Sequence, residues 1–272
     1  MSNLNPTNPI QPLSVGDVVS AGVRIYRSNL KRYLILVLRS YLWIFVPIYG
    51  WAKSAEISGR ISRLAYQELI NQPETLTEAE QKTKPQLWNF FGAALLLGLI
   101  YTGLYMAFAI AFLILIGLTA VFVAANPVLG LIGGLLMAAL VIAAIFVFIR
   151  VFSRLLIYEV PLAVEENVDA TTSLSRSWNL TKGSIGRIQW IVIVAFLLTL
   201  IVNIPSQIAG AAMPTGDTVD PGVAAIALLL FVVVSLASSA LITPFWQVIK
   251  AVIYYDLRSR REGLGLELRD RG

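Results

Sequence analysis

Apolar positions run almost unbroken from residue 87 to residue 158, and Asn126-Pro127 is the one obvious interruption. Each half is longer than the roughly 20 residues that carry a helix across a bilayer. The pattern predicts a helical hairpin in the membrane, turned at Asn126-Pro127. At about 1.5 Å per residue its first arm overshoots the roughly 30 Å apolar layer, so it must tilt, break or bury the surplus against neighbours. Gly92, Gly98, Gly103 and Gly117 lie in that arm without the spacing of a GxxxG pair. Two further apolar runs follow. Residues 188–204 form a span ended by Pro205. Residues 223–242 cross back, Pro244 kinks the inner end, and residues 245–255 continue toward an arginine-rich exit closed by Gly263, a residue suited to a helix C-cap.

Ahead of the hairpin the pattern changes. Residues 13–32 read as an amphipathic helix capped by Ser14, with Asp17 three positions on. Val15, Val18, Val19, Gly22, Val23 and Tyr26 form its apolar side. Arg24, Arg27, Lys31 and Arg32 gather at its C-terminal end, where they suit the helix dipole. Such a helix lies in the headgroup plane, or its basic end serves as an ordinary juxtamembrane stop. Residues 33–51 form a short apolar span with aromatic residues at interface depth; Arg39 within it is a functional candidate by default, and snorkelling to the near surface is the favoured reading. Residues 52–70 place Lys53, Glu56, Arg60, Arg63 and Gln67 on one helical stripe. This segment is either an interfacial helix or a return span whose charged stripe faces the bundle interior, and the return is favoured.

Charge placement sets the expected topology. The hairpin turn and residues 205–222 carry no Lys or Arg, and the latter holds Asp217 and Asp220. The other connectors and both termini are basic, which puts them on the cytoplasmic side. Between them, residues 71–86 form a polar connector with a short helix over 75–84. Asp169 caps another helix that stops at Lys182-Gly183. The expected architecture is therefore an all-α polytopic transmembrane helix bundle. It has about six membrane segments plus short amphipathic cytoplasmic helices, both termini cytoplasmic, in a bacterial inner membrane or another internal membrane. Residues 13–263 form a single integral membrane domain between tails at 1–12 and 264–272.

Composition narrows the chemistry. Of 272 residues, 57% are hydrophobic and 14% charged, and mean hydropathy is +0.74, far from a soluble domain with about 25% charged residues. There is no Cys and no His, which excludes disulfides, thiolate sites and histidine-based hydrolysis. No nucleotide-binding fingerprint is present. The net charge of +5 lies beside apolar spans, so it fits anionic headgroups and topology control rather than nucleic acid.

Three pieces carry a resemblance. They are Leu13-Ser14-Val15-Gly16-Asp17 running to Arg24-Ile25-Tyr26-Arg27, then Arg176-Ser177-Trp178-Asn179-Leu180 with Lys182-Gly183, and finally Tyr254-Tyr255-Asp256-Leu257-Arg258-Ser259-Arg260-Arg261-Glu262-Gly263. Together they resemble the membrane domain of the glycerophosphoryl diester phosphodiesterases. The resemblance implies about six spans and short cytoplasmic helices. It does not carry the phosphodiesterase activity, which in that family belongs to a separate soluble barrel using paired His, acidic residues and a metal.

Three functions follow as expectations. The first is a non-catalytic membrane protein that binds lipid or a membrane protein partner, or pairs with a second copy of itself, and needs no cofactor. Arg60, Arg63, Arg150 and Arg154 are its candidate contacts to anionic lipid or partner. The bland alternative for Arg150 and Arg154, one turn apart, is to stop their span at the interface. The second function is a transporter or lipid-handling permease that uses the Lys53–Arg63 stripe inside the bundle, since buried charge often marks a pathway. The third is an intramembrane enzyme with a metal on Glu165, Glu166 and Asp169, though acidic residues ahead of a helix more often cap it and their spacing matches no metal signature.

Overall fold

The structure is a computed structural model that describes residues 14–214, 216 and 219–263. The expected terminal tails and Asp217 lie outside the described residues. The described residues form helices and connectors, without a strand.

The chain opens with α1 (Val15–Ser28). Its capping box is complete: the Ser14 amide donates to Asp17 Oδ2 at 3.0 Å and the Asp17 amide to Ser14 Oγ at 3.1 Å. Asn29 interrupts the helix, so the basic pair Lys31-Arg32 belongs to the first turn of α2 (Leu30–Trp43) rather than to the amphipathic helix expected over 13–32. A turn through Pro47 and Ile48 leads into α3 (Tyr49–Leu69). A second capping box, Thr75 with Glu78, starts α4 (Leu76–Thr83).

After a single 3-10 turn, α5 (Leu87–Ala125) and α6 (Pro127–Leu155) form the hairpin that the apolar pattern predicts. Asn126 stands between them, and its side chain accepts from the Val128 amide at 2.8 Å. The long first arm does not break. Short α7 (Glu159–Val164) runs through Pro161. Asp169 caps α8 (Ala170–Thr181), as anticipated. Then α9 (Ile185–Ala211) and α10 (Pro221–Glu262) form a second hairpin. Asp220 caps α10 at its start, and Gly263 closes it at φ 66°, the left-handed C-cap that glycine adopts without penalty.

Pro244 lies inside α10, which continues past it to Glu262, in keeping with the expected continuation over 245–255. One proline reading is corrected: Pro205 does not end its span but lies inside α9, which continues to Ala211. In an apolar layer a broken helix leaves backbone groups with no water to satisfy them. Continuing past a missing N–H therefore costs less than stopping.

Among the described residues, four segments are long and apolar enough to cross a membrane: Leu76–Ala124, Val128–Val164, Ile185–Ala211 and Pro221–Glu262. They fit a multi-pass membrane protein. The expected count of about six is not confirmed. Helix α2 has 14 residues, roughly 21 Å against an apolar layer of about 30 Å. Helix α3 is long enough but carries Lys53, Glu56, Arg60, Arg63 and Glu68.

The packed core gathers at one end of the bundle, here called the base. Its centre is the inner half of α10, where Val248, Ile249, Ala251, Val252 and Tyr254 have no exposed surface. Helix α1 closes on it through Val18 and Gly22, and a Cβ at Gly22 would meet the Ile249 side chain. Helix α3 contributes Ile57, Ile61 and Ala65, and α9 contributes Ile188 and Ile191. A second cluster around Phe90, Leu155, Leu162 and Leu174 ties in α5, α6, α7 and α8. Away from the base the two hairpins expose long apolar faces, as lipid-facing helices do. Ser206 and Ser235 hydroxyls, 2.7 Å apart, pair α9 with α10 in that outer part.

Candidate functional site

The charged stripe of α3 does not line an open passage. Glu56 is fully buried and accepts from Arg60 Nε at 3.0 Å, Arg60 Nη2 at 2.8 Å and Lys53 Nζ at 2.8 Å. Thr83 also donates to it. Arg60 reaches on to Glu80 at 2.8 Å. One turn along, Arg63 grips Glu74 through Nε and Nη2 at 2.7 and 2.6 Å, and Nη1 donates to the Ala163 carbonyl at 2.6 Å. The stripe therefore fastens α3 to α4, to the connector before it and to α7. Each buried charge has a carboxylate or carbonyl partner, the condition under which charge is tolerated out of water.

Residues of α7, α8, α9 and α10, with Glu165, make the second half of this lattice. Arg176 joins Glu165 at 3.0 Å and Glu262 at 2.5 Å. Tyr254 donates to the same Glu165. Arg258 holds Glu262 at 2.8 Å. Nearly buried Asp256 accepts from Arg187 and Arg260, both at 3.1 Å. Lys250 pairs with Glu159 at 3.2 Å. The neighbouring Glu165 carboxylate holds the Arg176 guanidinium above its ordinary pKa, against the opposing effect of burial.

The four arginines expected to meet anionic groups are not brought together. Arg60 and Arg63 are buried in the ion pairs just described. Arg154 is buried too. It lies over the Trp178 ring at 4.8 Å and donates to the Trp178 carbonyl at 2.8 Å, while its Nε has no partner. Only Arg150 stands exposed. The three acidic residues considered for a metal are likewise committed separately. Glu165 belongs to the lattice, Asp169 caps α8 and Glu166 is exposed. No group of three or more acidic residues with metal-holding geometry occurs among the described residues.

A different site emerges between α1 and α9. A groove of about 660 Å³ is lined by Val19, Val23, Arg24, Arg27, Val194 and Leu198, among others. It runs into a smaller apolar recess of about 220 Å³, where Val202, Leu241, Ile242 and Phe245 join Val23 and Leu198. Arg24 and Arg27 are three residues apart on α1, so they share a face. Both are exposed, and among the described residues neither pairs with a carboxylate. The Tyr26 hydroxyl fixes the depth of this face by donating to the Leu241 carbonyl at 2.9 Å. Leu241 and Ile242 lie about 20 residues from the outer end of α10, near 30 Å along its axis. The arginines thus stand beside the base, about one apolar-layer thickness of helix from the outer end of α10.

Sequence reasoning placed Arg24 and Arg27 at a helix end and missed the groove. The available signal was their three-residue spacing beside an apolar face. It also missed Glu74, Glu80 and Glu165 as counter-ions, which no local spacing announces.

Residues 76–257 match a domain family of unknown function, DUF7847. The match takes in α4 to most of α10 and leaves α1 to α3 outside it. No curated protein and no solved structure matches the chain.

Proposed function

The chain belongs to the DUF7847 family, and we propose that it is a non-catalytic membrane protein that binds anionic phospholipid at the α1–α9 groove. One observation carries this reading. Two exposed arginines, without a carboxylate partner among the described residues, rim an apolar groove at the boundary of the membrane layer. A phosphate oxygen takes charge-assisted hydrogen bonds from guanidinium groups, and an acyl chain fills the recess of Val202, Leu241, Ile242 and Phe245. Arg150, exposed on α6, adds a second contact to anionic headgroups.

The base faces the cytoplasm in this proposal, because basic residues collect there and are absent from the Asn126-Pro127 turn. The resemblance to the membrane domain of the glycerophosphoryl diester phosphodiesterases belongs to the same proposal, as kinship to a membrane module apart from its catalytic barrel. A solute pathway along the α3 stripe finds no support in the geometry. Those charges are matched by Glu56, Glu74 and Glu80.

The test compares wild type with R24Q/R27Q, each reconstituted with equal phosphatidylglycerol and phosphatidylcholine and released for native mass spectrometry. Wild type is expected to retain phosphatidylglycerol preferentially, and the double variant to lose that preference several-fold. Val23→Trp, which fills the recess, is expected to do the same with both arginines in place. Equal retention by all three proteins would sink the assignment.

A further inference from the structure

We infer that the turn between α2 and α3 is a re-entrant wedge that inserts into the acyl chains of the leaflet beside the base and does not cross the membrane. The inference is independent of the α1–α9 groove.

The sequence of the wedge is the first observation. Residues 40–52 contain no charge. Leu42, Ile44, Phe45, Val46, Ile48, Tyr49 and Trp51 all point outward, with Leu42 at 72% and Phe45 at 85% exposure. A contiguous apolar tip of this kind needs a non-aqueous partner.

The second observation is depth. Helix α3 runs beside α10 in known register. Ser62 Oγ donates to Gln247 Oε1 at 3.1 Å, and Tyr66 meets Tyr254 edge-on with ring centroids 5.6 Å apart. Following both helices outward from Ser62 and Gln247, Gly50 at the tip stands about level with Ser235, roughly 18 Å on. Helix α10 extends to Pro221, roughly another 21 Å. Helix α2 also packs against α10, with Tyr33, Leu36 and Val37 in the same core as Val248 and Ile249. The tip therefore passes the Leu241 level of the groove by about one to two helical turns and stops there. That depth is less than half of a layer about 30 Å thick.

The third observation is that the turn is built to hold this shape. Trp43 and Tyr49 pack edge-on across it with centroids 5.6 Å apart. A Cβ at Gly50 would fall on the Trp43 carbonyl oxygen. Ile48 adopts φ 61°, a region that β-branched residues avoid. Trp43, Tyr49 and Trp51 bring the amphipathic rings that favour the headgroup boundary. The occupant assigned to this surface is lipid acyl chain. The four spanning segments place a bilayer around the bundle, and the register puts the tip inside it.

The chain has no cysteine, so single thiols report on chosen positions in the full protein. Phe45→Cys and Leu42→Cys are compared with Lys84→Cys at the base and Ala212→Cys at the outer end of α9, in right-side-out and inverted membrane vesicles. A membrane-impermeant maleimide is expected to reach Lys84→Cys and Ala212→Cys from opposite sides and to reach neither tip position. A nitroxide at the tip is expected to collide with oxygen several-fold more often than with a water-soluble nickel chelate. Labelling of the tip from the Ala212 side would show a full crossing, and labelling from the Lys84 side a tip in water. Shielding from oxygen and chelate alike would show a protein partner over the turn. Any of these three results overturns the inference.

Discussion

Replacing Glu56 with Gln puts the buried lattice to its hardest test. In the native protein two carboxylates, Glu56 and Glu80, face two cations, Lys53 and Arg60. Glu56 and Arg60 are both nearly inaccessible, whereas the Glu80 side chain is 41% exposed. E56Q removes the better-buried carboxylate and turns an amide donor toward cations that are themselves donors. Removing one partner of a buried ion pair costs about 3–5 kcal/mol, because the other charge stays desolvated. Glu80 keeps hold of both cations, which places the expected loss near 3 kcal/mol, the lower end of that range. Replacing both members by apolar groups of similar volume is often close to neutral. E56L/R60M should therefore recover to within about 1 kcal/mol of wild type, with Lys53 and Glu80 left paired. The measurement is denaturant unfolding in a fixed detergent, followed by far-ultraviolet circular dichroism. A loss below about 1 kcal/mol for E56Q would refute the claim that pairing holds this buried charge. So would a double variant whose loss equals the sum of the singles, since groups in one network should couple.

Other expectations follow from the same packing. Gly59→Ala drives a methyl group into the Phe90 ring and should cost about 1–3 kcal/mol. Phe90→Leu in the same chain should restore part of it, and an additive double variant would count against the contact. Hydrogen bonds from Ser14 hold the Asp17 carboxylate below its ordinary pKa of 3.8, and bonds from Thr172 and Thr171 do so for Asp169. A lowered folded value means that stabilisation is present above the ordinary value and lost as pH falls through the folded one. Amide exchange in the first turns of α1 and α8 should accordingly rise below about pH 3.8, and Asp17→Asn should flatten the response in α1. Unchanged exchange on acidification would contradict the capping account. Arg154→Met forfeits both the stacking on Trp178 and the bond to its carbonyl. Charge-assisted bonds contribute about 1.5–3 kcal/mol, so stability should fall and Trp178 emission should shift; an unaltered spectrum would argue against the stacking.

How far the sequence disclosed this architecture depends on the range of each interaction. Local devices were legible. Ser14 with Asp17, Asp169, Gly263 and the Asn126-Pro127 turn all act within a few residues, and each sits where its spacing indicated. Pro205 was misread because its water-based cost does not carry over to an apolar surround, where a helix end is dearer than a missing donor. The two segments over 33–70 looked like a crossing and a return. Their apolar tip and charged stripe gave no hint that the stripe would turn toward α4 and α7. What decides that is Glu80 on Arg60, 20 positions away, and the Ala163 carbonyl on Arg63, 100 positions away. Periodicity cannot see partners at such separation. The groove failed for a related reason, since Arg24 and Arg27 become a site only when Val194, Leu198 and Val202 of α9 arrive beside them.

The number of crossings is where these strands of evidence meet. The expectation from charge asymmetry is that both termini lie on one side, but four crossings and six satisfy that condition equally, because both are even. Distribution of Lys and Arg therefore cannot choose between them. Length and composition favour four, and the α3 lattice explains why. A segment that buries Glu56, Arg60 and Arg63 against α4 and α7 has its inner half in the protein base, so only its first few residues are free to enter lipid. The register with α10 then sets how far those residues reach, and the answer is part of one leaflet. Fixed in this way, the tip at Phe45 and the groove at Arg24 and Arg27 belong to the same leaflet. The tip sits among acyl chains and the groove at the headgroup boundary. In the proposed arrangement a base held by paired charge, with Arg24 and Arg27 at the rim and an apolar wedge beside them, grips one face of the bilayer. The two hairpins pass through it.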